Sequence, residues 1–302
     1  MSDRLLKFVF HGADVRGGLV HLTSAWRQMS EHHDYPAPVQ RLLGEMVAAA
    51  ALLASSIKFN GALIMQVHGD GPVKLLVVEC QPDMAMRATA KLRDEPIAEN
   101  ATMRDMINRG GRGRFAITLD PIDPLPGQQP YQGIVPLDGD DVSALLETYM
   151  RQSEQVETRI HLAASAEACG GLLLQRLPGE GGKAVGTDED AWERATTIGG
   201  TLKSDEMLAL PPEDVVRRLY SQETLELYTP LAPHFACRCS RERIGRMLIS
   251  LGREEVESIL AEQGEVAVTC DFCNRQYTFD AVDAAQLFVR GDALEADDSL
   301  RH

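Results

Sequence analysis

Four cysteines constrain this chain more than any other feature. Cys237 and Cys239 form a C-x-C, and after a gap of thirty residues Cys270 and Cys273 form a C-x-x-C, using four of the six cysteines in 302 residues. The second pair lies in VTCDFCNRQYTF (268–279), where two alternating stretches flank Asp271-Phe272-Cys273-Asn274 and read as a hairpin with a cysteine on each side of its tip. A tip of this kind aims two sulfurs at one centre, half of a tetrahedral zinc site, and Cys237 and Cys239 can supply the other half. The expected cofactor is one Zn²⁺ per chain, held by Cys237, Cys239, Cys270 and Cys273. C-x-C is less usual than C-x-x-C in purely structural sites, and its two thiols are able to pair on oxidation with some strain. Zinc holds its sulfurs as thiolates, the species that peroxide-type oxidants attack. Arg238, Arg241 and Arg275 are expected to stabilise that charge. Spacing alone admits zinc, disulfides or an alternation between them.

The sequence around the cysteines shows why a metal is needed. Over 233–292, Ser240 can cap a helix carrying Ile244, Met247, Leu248 and Leu251 and ending at Gly252; a second helix carries Val256, Ile259 and Leu260 and stops at Gly264. A short last helix holds Leu287 and Phe288, and 293–302 reads as a disordered tail. A domain of ~60 residues has little core to stand on. Structural zinc contributes ~10–16 kcal/mol of apparent binding free energy, against a net stability of ~5–15 kcal/mol even for whole domains. Loss of zinc is therefore expected to unfold it.

Residues 1–178 read as an α+β core domain with an antiparallel sheet and helices. Val39, Leu42, Leu43, Met46 and Ala50 keep helical spacing. ALIMQV (62–67), the turn HGDGP (68–72), VKLLVV (73–78) and AMRATAKL form an antiparallel meander. RFAITLD and YQGIVPL flank a Pro-rich loop, a helix follows at about 141–152, and GLLLQRLP (171–178) is a buried strand. Strands and helices do not alternate, which argues against a parallel doubly wound sheet. From a glycine-rich start, 179–232 is acidic, with eleven Asp/Glu against five Lys/Arg. It reads as a metastable helical linker. Trp192, Ala195, Ile198 and Leu202 form one apolar stripe and Val215, Val216, Leu219 and Tyr220 another, with Pro211-Pro212 between and Gly199-Gly200 weakening the first by about 1 kcal/mol each. These faces need a surface to lie on.

Composition excludes some partners. A formal charge of −15 disfavours nucleic acid as a general partner, and 233–292 holds seven Arg, no Lys and ten Asp/Glu. The N-terminus carries Asp3 and no apolar stretch of signal-peptide length. The most apolar run, Met46 to Ile57, is about twelve residues, short of the ~20 that span a bilayer. The expectation is a cytoplasmic protein with no membrane partner, in a compartment where thiols stay reduced.

Other features read as structural. Cys80 and Cys169 are isolated thiols. His234 precedes Cys237 by three, yet four sulfurs already fill a tetrahedron. Ser55-Ser56-Ile57-Lys58 has S-x-x-K spacing without the K-T-G or S-D-N that would accompany it in a penicillin-recognising hydrolase. HGDGP lies between strands rather than before a helix, so it is a turn and not a phosphate loop. The Arg109–Arg114 tract is a basic loop. No nucleophile–base set survives, and the chain is not expected to be an enzyme.

With its cysteine motif joined directly to CSRERI (239–244), the chain resembles the redox-regulated 33-kDa heat-shock chaperonin family (heat shock protein 33). QVHGDGPVKLLVVE (66–79), YQGIVPL (131–137), QSEQ (152–155) and GGLLLQRLP (170–178) carry the likeness over nearly the full length. The resemblance implies an ATP-independent holdase with a chaperone core, a linker folded onto it and a C-terminal zinc switch domain. It implies an inactive, reduced, zinc-bound monomer. Oxidation would form disulfides within the near pairs, Cys237–Cys239 and Cys270–Cys273, and release zinc. A homodimer with exposed apolar surface would then hold unfolding client proteins.

Overall fold

Helix α2 (Ala37–Ser56) is apolar nearly all round, and a helix of that kind must be enclosed by protein or lipid. In this computed structural model, which describes residues 3–125, 127–177 and 188–289, protein encloses it. The chain forms two compact units, Met1–Ala236 and Cys237–His302. Within the first, α2 packs on three strands of one sheet and on three strands of another. The run Ala48–Ala51 is fully buried and keeps the helix thin between them. At Gly44 a Cβ would lie 2.6 Å from that of Ala164, so only glycine allows this approach. The helix is 20 residues long with mean hydropathy 1.3, the one described helix long and apolar enough to cross a membrane. The twelve-residue apolar run therefore understated its length. Its most apolar window is 72% buried by the protein itself.

The first sheet is antiparallel throughout, in the order β10 (Leu225–Leu227), β1 (Arg4–Phe10), β2 (Val15–Leu22), β9 (Cys169–Arg176), β8 (Thr158–Ala164). The second runs β11 (His234–Phe235), β5 (Ala85–Leu92), β4 (Val73–Cys80), β3 (Gly61–His68), β6 (Arg114–Pro121), β7 (Tyr131–Val135). Only its β11–β5 pair is parallel. The meander of β3, β4 and β5 is the one the alternation anticipates, and the mixed α+β class holds. Besides α2, the unit contains α1 (Ser24–Ser30), α3 (Met103–Ile107) and α4 (Val142–Gln152).

The first sheet is buried on both faces. Leu5, Val20, Leu22, Ile160 and Leu173 join the cluster around α2, whereas their neighbours Leu6, Leu19, Leu172 and Leu174 join a separate one. Three helices cover that second face: α5 (Ala191–Gly199), α6 (Ser204–Ala209) and α7 (Pro212–Leu219). The sequence suggested two. Leu202 falls outside the helices, and α6 intervenes before the proline pair. At nine, six and eight residues, each falls below the ~12–15 at which an isolated helix becomes even marginal in water. Packing is what maintains them. Ala195, Met207, Val215, Val216 and Tyr220 are at most 2% exposed. The Tyr220 ring meets Phe10 edge-on at 5.1 Å and Phe8 at 5.7 Å, and its hydroxyl donates to Ala195 O at 3.1 Å. Gly17 makes room for Phe8, whose ring atom would lie 2.2 Å from a Cβ there. His21, on β2, is buried with its Nε2 2.9 Å from Leu208 O on α6.

The rest of the predicted linker is extended. β10 pairs with β1, Leu231 exchanges both backbone hydrogen bonds with Leu5 at 2.8 and 3.0 Å, and β11 pairs with β5. Residues 225–235 thus form a strap across both sheet edges, and the compact division falls after Ala236. The glycine-rich start of the predicted linker, through residue 187, and the predicted tail at 293–302 lie outside the described residues.

The second unit holds α8 (Arg241–Leu251), α9 (Arg253–Gln263), the hairpin β12 (Val266–Thr269) and β13 (Gln276–Phe279), and a helix at 281–289. Ser240 Oγ accepts from Arg243 N, and α9 ends on Gly264 at φ 81°. Its buried apolar cluster has six members: Leu248, Val256, Val266, Phe279, Ala284 and Phe288.

Burial on α2 has a pH signature. Desolvation raises the Glu45 carboxyl to about 7, with Arg41 opposing and Asp141 adding. A carboxyl raised in the fold favours folding below its unfolded value, and that contribution is lost as pH rises through about 7. Glu45→Gln should remove this slope. At pH 8 it should be more stable than the parent by on the order of 3 kcal/mol. Urea unfolding at several pH values, followed by tryptophan fluorescence, measures it. Both tryptophans, Trp26 and Trp192, lie in the first unit.

Candidate metal centre

The four cysteines predicted as ligands come together within the second unit. Cys237 and Cys239 lie just before α8, whose start is fixed by the Ser240 cap. Cys270 and Cys273 lie in the connection of the β12–β13 hairpin, where Thr269 pairs with Gln276. Asn274, at φ 55°, closes the connection by donating its N–H to Cys270 O at 2.9 Å, while Cys270 N donates to Arg275 O at 2.9 Å. Asparagine tolerates this left-handed backbone better than most residues. The tip is thereby fixed as a knuckle with both sulfurs on one side.

Cys237 and Cys270 sulfurs are 3.6 Å apart, Cys239 and Cys273 sulfurs 3.4 Å, and all four lie within 4.8 Å of one another. Four sulfurs at about 2.3 Å from a tetrahedral Zn²⁺ would be about 3.8 Å apart. The donor set and its spacing fit zinc. Cys270 is buried and the other three are partly so, which gives an entering oxidant access.

Without metal, the cluster distributes its protons unevenly. Burial opposes ionisation of Cys239, but the Tyr277 hydroxyl, donating at 3.1 Å, and the neighbouring thiols outweigh it and draw Cys239 down to about 7. Burial pushes Cys237 and Cys273 up.

The flanking arginines divide. Arg275 is raised first by Tyr277 and then by Cys239 and Cys273, so it serves the cluster as expected. Arg241 does not: its guanidinium donates to Thr278 O and Asp283 Oδ2, both at 2.7 Å, and stacks on Phe279 at 4.2 Å. It fastens the helices to the hairpin instead. Arg238 contributes a carbonyl that accepts from Arg243 Nη1. Tyr277 escaped the sequence reading. The only available signal was its place as the second residue of β13, just beyond the knuckle, which does not say which face it takes.

The residues read as structural stay so. Cys80 and Cys169 are fully buried. Burial, then Asp83 and Glu79, pushes Cys80 up to about 12, and burial raises Cys169 well above its ordinary value. Neither is a reactive thiol. His234 Nδ1 lies 3.2 Å from Ala232 O, and His234 is not part of the cluster. Asp70, in the HGDGP turn, accepts from Gly110 N and Arg112 N at 3.1 and 2.8 Å, pinning the basic loop.

Replacing one ligand, as in Cys273→Ser, should abolish zinc binding and unfold the second unit, leaving α2 and the sheets it packs on intact. Zinc content, with hydrogen exchange of the β12–β13 amides against those of α2, tests both halves. Retained zinc with a protected hairpin would refute the assignment.

Comparison with known proteins places this arrangement. A family model described as Hsp33 protein matches residues 3–280. The 33 kDa chaperonin of Methylobacillus flagellatus is 44% identical, over 100% of this chain and 99% of that protein. That of Chromobacterium violaceum is 44% identical over 99% and 98%, and that of Pseudomonas aeruginosa 41% over 100% and 99%. The crystal structure of the 33 kDa chaperonin (heat shock protein 33 homolog) of Thermotoga maritima has the same fold. Its TM-score is 0.78 at 19% identity, covering 96% of this chain and 99% of that one.

Proposed function

The chain belongs to the Hsp33 family, and from that premise we propose that it is a molecular chaperone, an ATP-independent holdase governed by the oxidation state of Cys237, Cys239, Cys270 and Cys273. The observation that carries the reading is the pairing of a four-sulfur cluster with helices that have no stability of their own. In the reduced form the four thiolates would hold one Zn²⁺, tying the start of the second unit to its hairpin. Its six-residue apolar cluster is small, and zinc contributes ~10–16 kcal/mol to folds of this kind.

A peroxide-type oxidant, itself reduced, converts one thiolate to a sulfenic acid, and a second thiol attacks that sulfur and releases water to give a disulfide. Each disulfide removes two ligands. The near pairs Cys237–Cys239 and Cys270–Cys273 are assigned on the family resemblance. They are favoured in an opened chain because short loops close with least entropy loss. The sulfurs seen closest in the folded cluster belong to the other combination, Cys237 with Cys270 and Cys239 with Cys273. Peptide mapping of the oxidised protein distinguishes the two.

Once the second unit is open, the strap of residues 225–235 loses its anchored end. Its strands are three and two residues long, so little resists their fraying. Helices α5, α6 and α7 follow, since each persists only by packing. The uncovered sheet face bears Phe8, Phe10, Leu19, Leu172 and Leu174, an apolar surface suited to unfolding clients. Two such faces could pair in a homodimer. A cytoplasmic setting, where thiols are normally reduced, makes oxidation a usable signal.

Light scattering from a thermally unfolding client should be suppressed by the oxidised protein and not by the reduced, zinc-loaded one. Equal protection by both would remove the redox control. Emission from Trp192, isolated by Trp26→Phe, should shift to the red on oxidation. Tyr220→Ala removes the ring held by Phe8 and Phe10 and should cost the linker about 3–5 kcal/mol. The reduced variant should then protect the client while still holding zinc.

A further inference from the structure

Where α2 ends at Ser56, the sheet beneath it continues. Lys7 and Val9 on β1 face the same side as Leu5, and register pairs them with Gly18 and Arg16 on β2. Gly18 contributes no side chain, and a cavity of about 300 Å³ opens there beside the end of the helix. Leu52, Leu173 and Leu177 give it an apolar lining.

Every charged residue lining the cavity is a cation: Lys7, Arg16 and Lys58. The chain as a whole has 45 acidic residues to 30 basic ones, so an all-cationic lining runs against the bulk composition. Among the described residues, none of the three is paired with a carboxylate. Arg16 gives Nε and Nη2 to the neutral Gln175 Oε1 at 3.0 and 2.6 Å. Lys7 gives Nζ to Ser55 O at 3.3 Å. Gln175 is fully buried and is itself oriented by donating Nε2 to the buried Thr158 Oγ1 at 3.3 Å, which turns its oxygen to Arg16. The guanidinium is thus positioned by a buried polar pair, and burial lowers its preference for the charged form. A partly desolvated cation without a counter-charge favours an anion beside it.

The S-x-x-K spacing finds its place here without catalysis. Ser55 and Ser56 hydroxyls donate to Leu52 O and Leu53 O of their own helix at 2.8 and 2.9 Å, while Lys58 stands at the cavity rim. Both hydroxyls are thereby committed to carbonyls of their own helix.

We propose that this cavity binds a small amphipathic anion. A single carboxylate- or phosphate-type head sits among Arg16, Lys7 and Lys58, and a short apolar tail lies over Leu52, Leu173 and Leu177. The site belongs wholly to the first unit, with Tyr228 of the strap among its lining residues, so the reduced protein is the form to test.

The test is calorimetric titration of the reduced, zinc-loaded full chain with octanoate and with octyl phosphate, using octanol and octylamine as controls. Saturable binding of one equivalent of at least one anion is expected, weaker by about tenfold or more for both controls, and falling as salt rises. Arg16→Met should weaken it by a similar factor. Lys58→Met, at an exposed position that cannot compromise the core, should weaken it as well, with Lys58→Arg restoring it. No saturable binding of either anion would overturn the proposal. So would equal affinity for octanol, or binding unchanged in both methionine variants.

Discussion

A single β-sheet with two apolar faces sets the organisation of the first unit. Strands β1, β2, β9 and β8 place leucines on both sides, and water cannot be left against either. One side is covered by α2, a 20-residue helix that a second sheet also grips. The other side is covered by helices of nine, six and eight residues. The asymmetry lies in the covers and not in the sheet. A long helix carries intrinsic stability and two partners, whereas the short ones have only the surface they lie on.

The cysteine cluster obeys the same logic on a smaller scale. Six buried apolar side chains and a four-pair hairpin are little to hold three helices. A metal held by the four sulfurs would concentrate the missing stability at one centre, on the groups most open to oxidation as thiolates. Tyr277 and Arg275 bear on this directly, because both favour negative charge on the sulfurs they face.

Much of this was legible from residues alone. Period-two alternation located the meander and the cysteine hairpin, and Ser240, Gly252 and Gly264 bounded the helices of the second unit. The linker was less legible. Gly199 and Gly200 end α5, yet nothing local marks Ser204–Ala209 as a separate helix, because its single deeply buried residue, Met207, makes no periodic stripe. Leu225–Leu227 and His234–Phe235 are too short for any pattern, and they become strands only because β1 and β5 offer open edges. The length of α2 was underestimated because polar residues in its first half dilute the apolar run.

The sequence by itself determined the four sulfurs, the spacing that lets them meet, and the marginal character of the acidic segment beside them. Those are local properties, written in residue type and interval. Tertiary structure alone decided what the linker lies on and how the cations meet. It also decided that Arg241 serves Asp283 while Arg275 serves the cysteines. Lys7, Arg16 and Lys58 are scattered along the chain and share a cavity only because β1, β2 and the end of α2 converge. Side-chain direction and burial depend on partners distant in sequence, and no window of neighbouring residues contains them.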